Sequence, residues 1–348
     1  MSVLYLRKGK HMGKIKYILS RLMGMDYKRM WETAKKVHEK TGRSTLVILF
    51  DIMWCGYKYM AGYMDYIVFE FYKLNAEQRA TYITRGVNNN YVKRLNTRES
   101  WYKFEDKPTF NKLFAKYMHR SWIDISQKDE QEFSEFLQGK ERIVCKPVDA
   151  TCGKGIIFLN KDEFGDHKEL YNKLKSNKQY LVEEFVVQHP EISKIYDRSV
   201  NTVRLVTMVV NGVPHVVFSS IRIGNGLMVD NLNSGGMATI IDLKTGVITK
   251  PAMDKENILY EVHPYTNTPI VGTKIPCFDE AVEMVKEAAL VVPEMGYIGW
   301  DVAITKNGPL LIEANHFPGH DIYQFQPHLE NGYGLKPRFD RVLNGGQA

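Results

Sequence analysis

Asp301, Glu313 and Asn315 stand in the segment Ile298–Gly319, IGWDVAITKNGPLLIEANHFPG, in a pattern that can gather three oxygen donors on one hairpin face. Two apolar runs, Tyr297–Thr305 and Pro309–Asn315, flank Lys306-Asn307-Gly308, which suits the positive φ of a tight turn. Loop length decides the chemistry, because side chains alternate faces along a strand. A two-residue Asn-Gly turn sets Asp301 across from Ala314 and away from Glu313. A three-residue loop with Gly308 in the left-handed bulge position pairs Thr305 with Pro309, and Asp301 then faces Glu313. In that register Asn315 shares the face, and the three form a hard-oxygen set of the kind Mg²⁺ prefers. The plainer reading is a surface hairpin with two solvent-side acids. The apolar flanks count against it, because two carboxylates between buried strands need a cation.

Glu141–Pro147, ERIVCKP, reads as a strand ending in Lys146, and Val148–Gly155 leads from it into a second strand, Ile156–Leu159. A glycine-flanked loop between antiparallel strands can fold backbone N–H groups over a polyphosphate, with Lys146 and Lys154 supplying charge. No helix opens after the glycines, which separates the loop from a P-loop or a dinucleotide fingerprint. Taken alone it describes a hairpin turn equally well. Tyr180–Val187, YLVEEFVV, places Glu183 and Glu184 inside an apolar run. Strand-edge N–H and C=O groups there can read an adenine, while Glu183, Glu184 or Glu191 accepts from its amine or from ribose hydroxyls. The alternative is an edge strand with one outward acid.

In this order, the three segments resemble the ATP-grasp superfamily over roughly Asn96 to Gly334. QHPEISKIYDRSVNTVRLVTMV and GGMATIIDLKTGVI are similar to its sugar-transfer-associated subgroup. The resemblance implies an α+β ATP-grasp fold, two α+β lobes clasping ATP, preceded here by a helical N-terminal region in place of the usual Rossmann-like domain. It assigns Lys107, in an Asp106-Lys107 pair heading a helical run, and Lys146 to the ATP phosphates, and Gly153, Lys154 and Gly155 to the flap. Glu183, Glu184, Phe185 and Val186, with Glu191, would form the adenine hinge. Two Mg²⁺ ions, with Mn²⁺ as a substitute, would lie on Asp301, Glu313 and Asn315. The implied activity is a carboxylate–amine ligase acting through an acyl phosphate, joining an amino acid or amine to a sugar acid in surface polysaccharide biosynthesis. One departure matters: ligases such as D-alanine–D-alanine ligase carry an arginine two residues before the metal Asp, where this chain has Gly299. Arg222 and Arg204 are the candidates to supply that cation, beside Lys146. Asn233, His316, His320 and Asp321 are the polar groups expected at the acceptor. Two other readings share the site: an ATP-grasp kinase phosphorylating a hydroxyl, and a non-catalytic ATP-binding assembly protein.

The elements that must position these residues alternate coherently. Strands are expected near 141–147, 156–159 and 180–187 with a helix near 161–177. A second group of strands is expected near 200–210, 214–223, 237–242, 297–305 and 309–315, with a helix near 278–292. The expected organisation is a helical region over 1–95, a nucleotide-facing lobe over 96–195, a metal and substrate lobe over 196–335, and a tail over 336–348. The 348-residue chain can bury a full core. Its four scattered cysteines, Cys55, Cys145, Cys152 and Cys277, suit a reducing cytoplasm. Met1–Ser44 carry 12 Lys and Arg against 3 Asp and Glu, and the remaining chain 35 against 37. Such a basic arm reads first as a solvated helix face; the alternative is contact with the inner face of a cell membrane, and no nucleic acid is expected. Thr45–Leu74 is long enough to span a bilayer, but Asp51, Lys58 and Asp65 interrupt it, so a buried helix or a helix pair broken near Gly56 or Gly62 is expected. The N-terminus lacks the uninterrupted apolar core of a signal peptide.

Overall fold

The computed structural model describes residues 26–147 and 155–347. The chain divides into two compact units, one reaching Ala80 and including Thr84–Gly86, the other made of Thr81–Ile83 and the chain from Val87 onward. The basic residues before Asp26 and the loop residues 148–154 lie outside the described residues.

The first unit is helical: Tyr27–Thr41, Thr45–Tyr59, Tyr63–Val68 and Ala76–Ala80. Asp26 caps the first helix by accepting from Arg29 N, and Gly42 ends it in a left-handed turn at φ 69°. The run Thr45–Leu74 is a broken helix pair, as its interrupting charges require. The break follows Tyr59, where Met60 turns left-handed at φ 55° and Gly62 opens the next helix by donating its N–H to Asp65 at 2.7 Å. Asp51 is satisfied by Arg79, at 2.7 and 2.8 Å, and by the Tyr66 hydroxyl at 2.7 Å. The expectation of a buried helix holds for one side only. Ile48, Ile52, Cys55 and Tyr59 are buried, whereas Leu46, Val47, Phe50, Trp54 and Tyr57 are exposed. No described helix is long and apolar enough to cross a membrane.

The second unit contains two antiparallel sheets. The smaller has four strands in the order β1 (Trp122–Asp124), β4 (Leu181–Glu184), β2 (Arg142–Lys146), β3 (Ile157–Asn160). Phe133 and Leu137 from the helix Glu130–Leu137, and Leu170 and Leu174 from the helix His167–Ser176, pack with Ile143, Cys145 and Val182 of the sheet. The latter helix starts later than its periodicity suggests, because Asp166 caps it and Lys161–Glu163 forms a separate 3₁₀ turn.

The larger sheet has seven strands. Its order is β11 (Gly308–Asn315), β10 (Tyr297–Thr305), β5 (Val203–Val210), β6 (Val213–Ile223), β7 (Met237–Ile240), β8 (Ala252–Met253), β9 (Leu259–Tyr260). The central strands β10 and β5 are buried along nearly their whole length, which explains their continuous apolar runs. Trp300 anchors the core, packing edge-on against Phe104 and Phe114 while its Nε1 donates to Thr207 Oγ1 at 2.8 Å. The helix Phe278–Ala288, with Asp279 and Glu280 in its first turn, packs in the same core and ends before the expected 292. β1, β8 and β9 were not expected; strands of two or three residues carry no legible period.

The β10–β11 hairpin takes neither expected turn. Thr305 pairs with Gly308 around Lys306-Asn307, and Gly308 alone takes a positive φ, 107°. Continued evenly, that register would put Asp301 across from Ile312. A bulge leaves Ile312 unpaired, so Asp301 faces Glu313 and Gly299 faces Asn315. The three-residue loop is thus corrected to a two-residue turn plus a bulge, with the same juxtaposition of acids.

Candidate active site

Asp301 is fully buried in β10, and its neighbour across the ladder on β5 is Arg204. Arg204 binds it through two nitrogens, Nε to Oδ1 at 2.5 Å and Nη2 to Oδ2 at 2.9 Å, and Arg222 of β6 adds Nη2 to Oδ2 at 2.7 Å. Burial alone would raise the Asp301 pKa, but Arg204 and then Arg222 outweigh it and hold the carboxyl below its ordinary value. The cation that a buried acid requires is therefore a pair of arginines. Gly299 is what admits one of them. A Cβ there would lie 3.2 Å from Arg204 Nη1, 3.5 Å from its Cδ and 3.3 Å from Pro318 Cβ, so the Arg204 side chain packs closely against the place where a side chain of residue 299 would begin.

Glu313 and Asn315 lie on the same face of the hairpin as Asp301. Glu313 opens to solvent, yet the protein around it and the charge of Asp301 raise its pKa, against the pull of Arg222 and Lys146. Lys146, from the smaller sheet, and Arg222, from β6, are thus both close enough to act on the Glu313 charge. Among the described residues, no group of three or more His, Cys, Asp or Glu is placed to hold a metal. The donor chemistry nevertheless suits a hard cation at Glu313 and Asn315. Asp301 differs, because Oδ2 already accepts two guanidinium N–H groups and Oδ1 one; it can join a metal only where an arginine releases a lone pair.

At the end of β2, Lys146 Nζ meets Glu183 Oε2 at 2.5 Å. Glu183 is buried and also takes Arg120 at 3.2 Å and Asn111 Nδ2 at 2.9 Å. Burial would raise its pKa, but Arg120 and Lys146 prevail and hold it at about 2. Glu183, expected as an acceptor for adenine or ribose, thus already accepts from three protein donors. Glu184 is half-buried and accepts from Ser121 Oγ at 2.7 Å. Its N–H and that of Phe185 bond to Ser121 and Arg142 carbonyls. Phe185 lies under the Arg142 guanidinium, 4.1 Å from its ring centre, and Val186 is buried beside Ala303 and Leu310. Glu191 is exposed on the helix Pro190–Ile195 and pairs with Lys194 at 2.6 Å. Lys107 reaches the same strand end as Lys146, donating to the Pro147 carbonyl at 3.1 Å from a helix capped by Asp106. Gly155 resumes the chain at φ 70°, whereas the expected flap residues Gly153 and Lys154 lie outside the described residues.

The acceptor residues divide. His316, expected at the substrate, sets its ring at a tilt 4.7 Å from Trp101, Nε2 lies 3.4 Å from Glu105, and burial lowers its pKa. His320 is buried and Asp321 exposed. Asn233 is exposed in the 3₁₀ turn Leu232–Ser234. Leu232 and Ile322 pack in one small apolar cluster, which brings the Asn233 and Asp321 segments together.

Three residues that hold the candidate site together escaped the sequence reading. Arg120 donates to Glu183, to the Leu311 carbonyl and, at 3.0 Å, to the Ile312 carbonyl, so it holds the β11 bulge and the Lys146 partner at once. Thr202 accepts from Arg222 at 3.0 and 2.8 Å and donates to Asp230, which it meets at 2.5 Å; Asp230 also lies 3.6 Å from Arg222. A lone arginine, threonine or aspartate in a loop carries no periodic or motif signal that could have singled it out.

Comparison with known proteins supplies the family. No curated protein matches the chain. Solved structures similar to it include the ATP-grasp ligase PsnB with a minimal precursor, at 12% identity and TM-score 0.44 over 72% of this chain and 64% of that one. This chain thus spans somewhat under two thirds of that relative. The D-alanine–D-alanine ligase of Helicobacter pylori aligns at 14% identity and TM-score 0.42, over 71% of this chain and 62% of that one. The D-cycloserine synthetase DcsG aligns at 11% and 0.42, over 72% and 73%. The sequence model of sugar-transfer associated ATP-grasp proteins matches residues 86–344, most of the chain. With its α+β sheets and its helical N-terminal region, the chain belongs to the sugar-transfer associated ATP-grasp family.

Proposed function

We propose that this protein is an ATP- and Mg²⁺-dependent carboxylate–amine ligase that works through an acyl phosphate and joins an amino acid or amine to a sugar acid in surface polysaccharide biosynthesis. The observation that carries the reading is the joining of two charge systems through Arg120, which binds Glu183, the partner of Lys146 in the smaller sheet, and the Ile312 carbonyl next to Glu313, which faces the Arg204–Asp301–Arg222 cluster of the larger one. The arginine that ligases place two residues before Asp301 is absent, but Arg204 lies against that position, which favours ligase chemistry over kinase chemistry.

In this reading Lys107 and Lys146 bind the ATP phosphates, and the backbone of Glu184–Val186 borders the adenine. Glu313 and Asn315, joined by Asp301 once Arg222 turns towards phosphate, would hold Mg²⁺ in two sites, with Mn²⁺ as a substitute. The metal supplies Lewis-acid neutralisation of the phosphate oxygens. The substrate carboxylate oxygen attacks the γ-phosphorus, and the bond to the β-phosphate oxygen breaks to release ADP. Arg204 and Arg222 orient the acyl phosphate and balance its charge. The amine then attacks the acyl carbon, phosphate leaves, and the amine proton passes to solvent. Closure of the Gly153–Gly155 flap excludes the water that would hydrolyse the intermediate. Asn233, His320 and Asp321 line the acceptor side. The enzyme works in the cytoplasm at the inner face of the cell membrane, which its basic arm contacts.

ADP release by the purified protein with Mg²⁺ and ATP, screened against pooled sugar acids, amino acids and polyols with mass spectrometry of the products, tests this. An amide formed only when acid and amine are both present is the expected result. A phosphate ester from a single alcohol makes the protein a kinase, and nucleotide binding without turnover in any pool makes it a binding protein.

A further inference from the structure

The helix Thr45–Tyr59 is apolar on two sides. One side, Ile48, Ile52, Cys55 and Tyr59, is buried in the helical unit. On the other, Leu46, Val47, Phe50, Met53, Trp54 and Tyr57 recur at helical spacing and form a stripe about 120° wide. All of these but Met53 are more than half exposed. Scattered exposed apolar residues are ordinary, but six in one stripe mark a contact surface.

The charges nearby identify the partner. Asp51, at the seam between the two sides, is neutralised by Arg79, so the stripe carries no free acid. Lys58 sits at the helix end with its ammonium 5.7 Å from the Trp54 ring centre and 5.3 Å from that of Tyr59, its stem lying along apolar surface. Trp and Tyr flanked by a lysine are the side chains that settle at the boundary between headgroups and acyl chains. A helix of 15 residues is about 22 Å long, short of the ~30 Å hydrocarbon core, so it would lie in the membrane plane. The sequence supplies a second signal. Residues 1–25 hold Arg7, Lys8, Lys10, Lys14, Lys16 and Arg21 and no acidic residue, a composition that is drawn to an anionic leaflet. A second copy of the chain or a neutral protein groove would cover the stripe but leave that charge unanswered.

We infer that the exposed stripe of the helix Thr45–Tyr59 is a docking surface for an anionic bilayer, entering the headgroup boundary, with the basic sequence of residues 1–25 supplying the charge complementarity. The inference rests on the membrane part of the proposed function and is independent of the ligase chemistry. It is tested by sedimenting the full-length protein with vesicles of phosphatidylcholine alone and of phosphatidylcholine mixed with phosphatidylglycerol. Wild type should bind the mixed vesicles. Phe50→Ser/Trp54→Ser/Tyr57→Ser should lose about tenfold or more in partitioning. Arg7→Gln/Lys8→Gln/Lys10→Gln should weaken binding mainly at low salt. Brominated lipid should quench wild-type fluorescence more than that of Trp54→Phe, a readout that needs no polar substitution. If the helix variant binds as wild type while the arm variant does not, the arm acts alone and the inference falls, with the membrane reading intact. If wild type binds neither vesicle, both fall. A concentration-dependent dimer abolished by the helix substitutions would assign the stripe to a second copy and also overturn the inference.

Discussion

At the scale of single residues, the site depends on what two carboxylates are paired with. Gly299 leaves room for Arg204, so Gly299→Val should push the guanidinium off Asp301. We expect turnover to fall about tenfold or more with KM for ATP changed less than about threefold, because the arginine serves the reacting centre and not the nucleotide. An unaltered kcat would remove Arg204 from the proposed chemistry. Glu183 makes a different prediction. Its carboxyl titrates at about 2 when folded against an ordinary 4.5. A depressed folded value means the stabilisation is fully present above the unfolded pKa and is lost as pH falls from about 4.5 towards 2. The shift corresponds to at most about 3 kcal/mol. Glu183→Gln should therefore be less stable than wild type at neutral pH, and urea unfolding at descending pH should show the gap closing across that window. A gap independent of pH would mean the ion pairs contribute nothing through titration.

At the scale of elements, the β11 bulge decides the site. Side chains alternate along a strand, so without the unpaired Ile312 every residue beyond it would point to the other face, and Glu313 would leave Asp301. Arg120 occupies the bulged carbonyls and the buried Glu183 together. Arg120→Met should cost about 3–5 kcal/mol, as removal of one partner of a buried pair does, and should raise the Mg²⁺ concentration needed for half-maximal turnover about tenfold. Arg120→Lys should restore most of the stability and little of the metal response, because an ammonium replaces the charge but not the fork. Equal recovery of both quantities would count against a positioning role.

At the scale of the molecule, the helical unit and the sheet-bearing unit each have their own buried residues. The proposed domain division, with the nucleotide and metal lobes together beyond residue 96, places every proposed ATP contact in the second unit. A nucleotide that binds only there should stabilise that unit alone. Calorimetry with Mg²⁺ and ATP at about a hundredfold excess over Kd should raise its transition by about 5 °C and leave the helical unit's transition in place. A common shift of both would show the two units unfolding as one.

The sequence by itself determined the family and the two strands of the Asp301–Glu313 hairpin, because apolar runs, turn residues and an ordered set of Lys, Glu, Asp and Asn are local properties. It also located the helix break near Gly62, where interrupting charges forced one. Only the tertiary structure decided which cations answer the buried acids. Arg204 and Arg222 lie 97 and 79 positions from Asp301, and Arg120 lies 63 from Glu183, separations at which no spacing rule speaks. The same holds for the bulge, set by Arg120 from outside the hairpin, and for the exposed stripe of Thr45–Tyr59. Pattern can say that a helix is apolar on both sides, but only packing shows which side the protein itself covers.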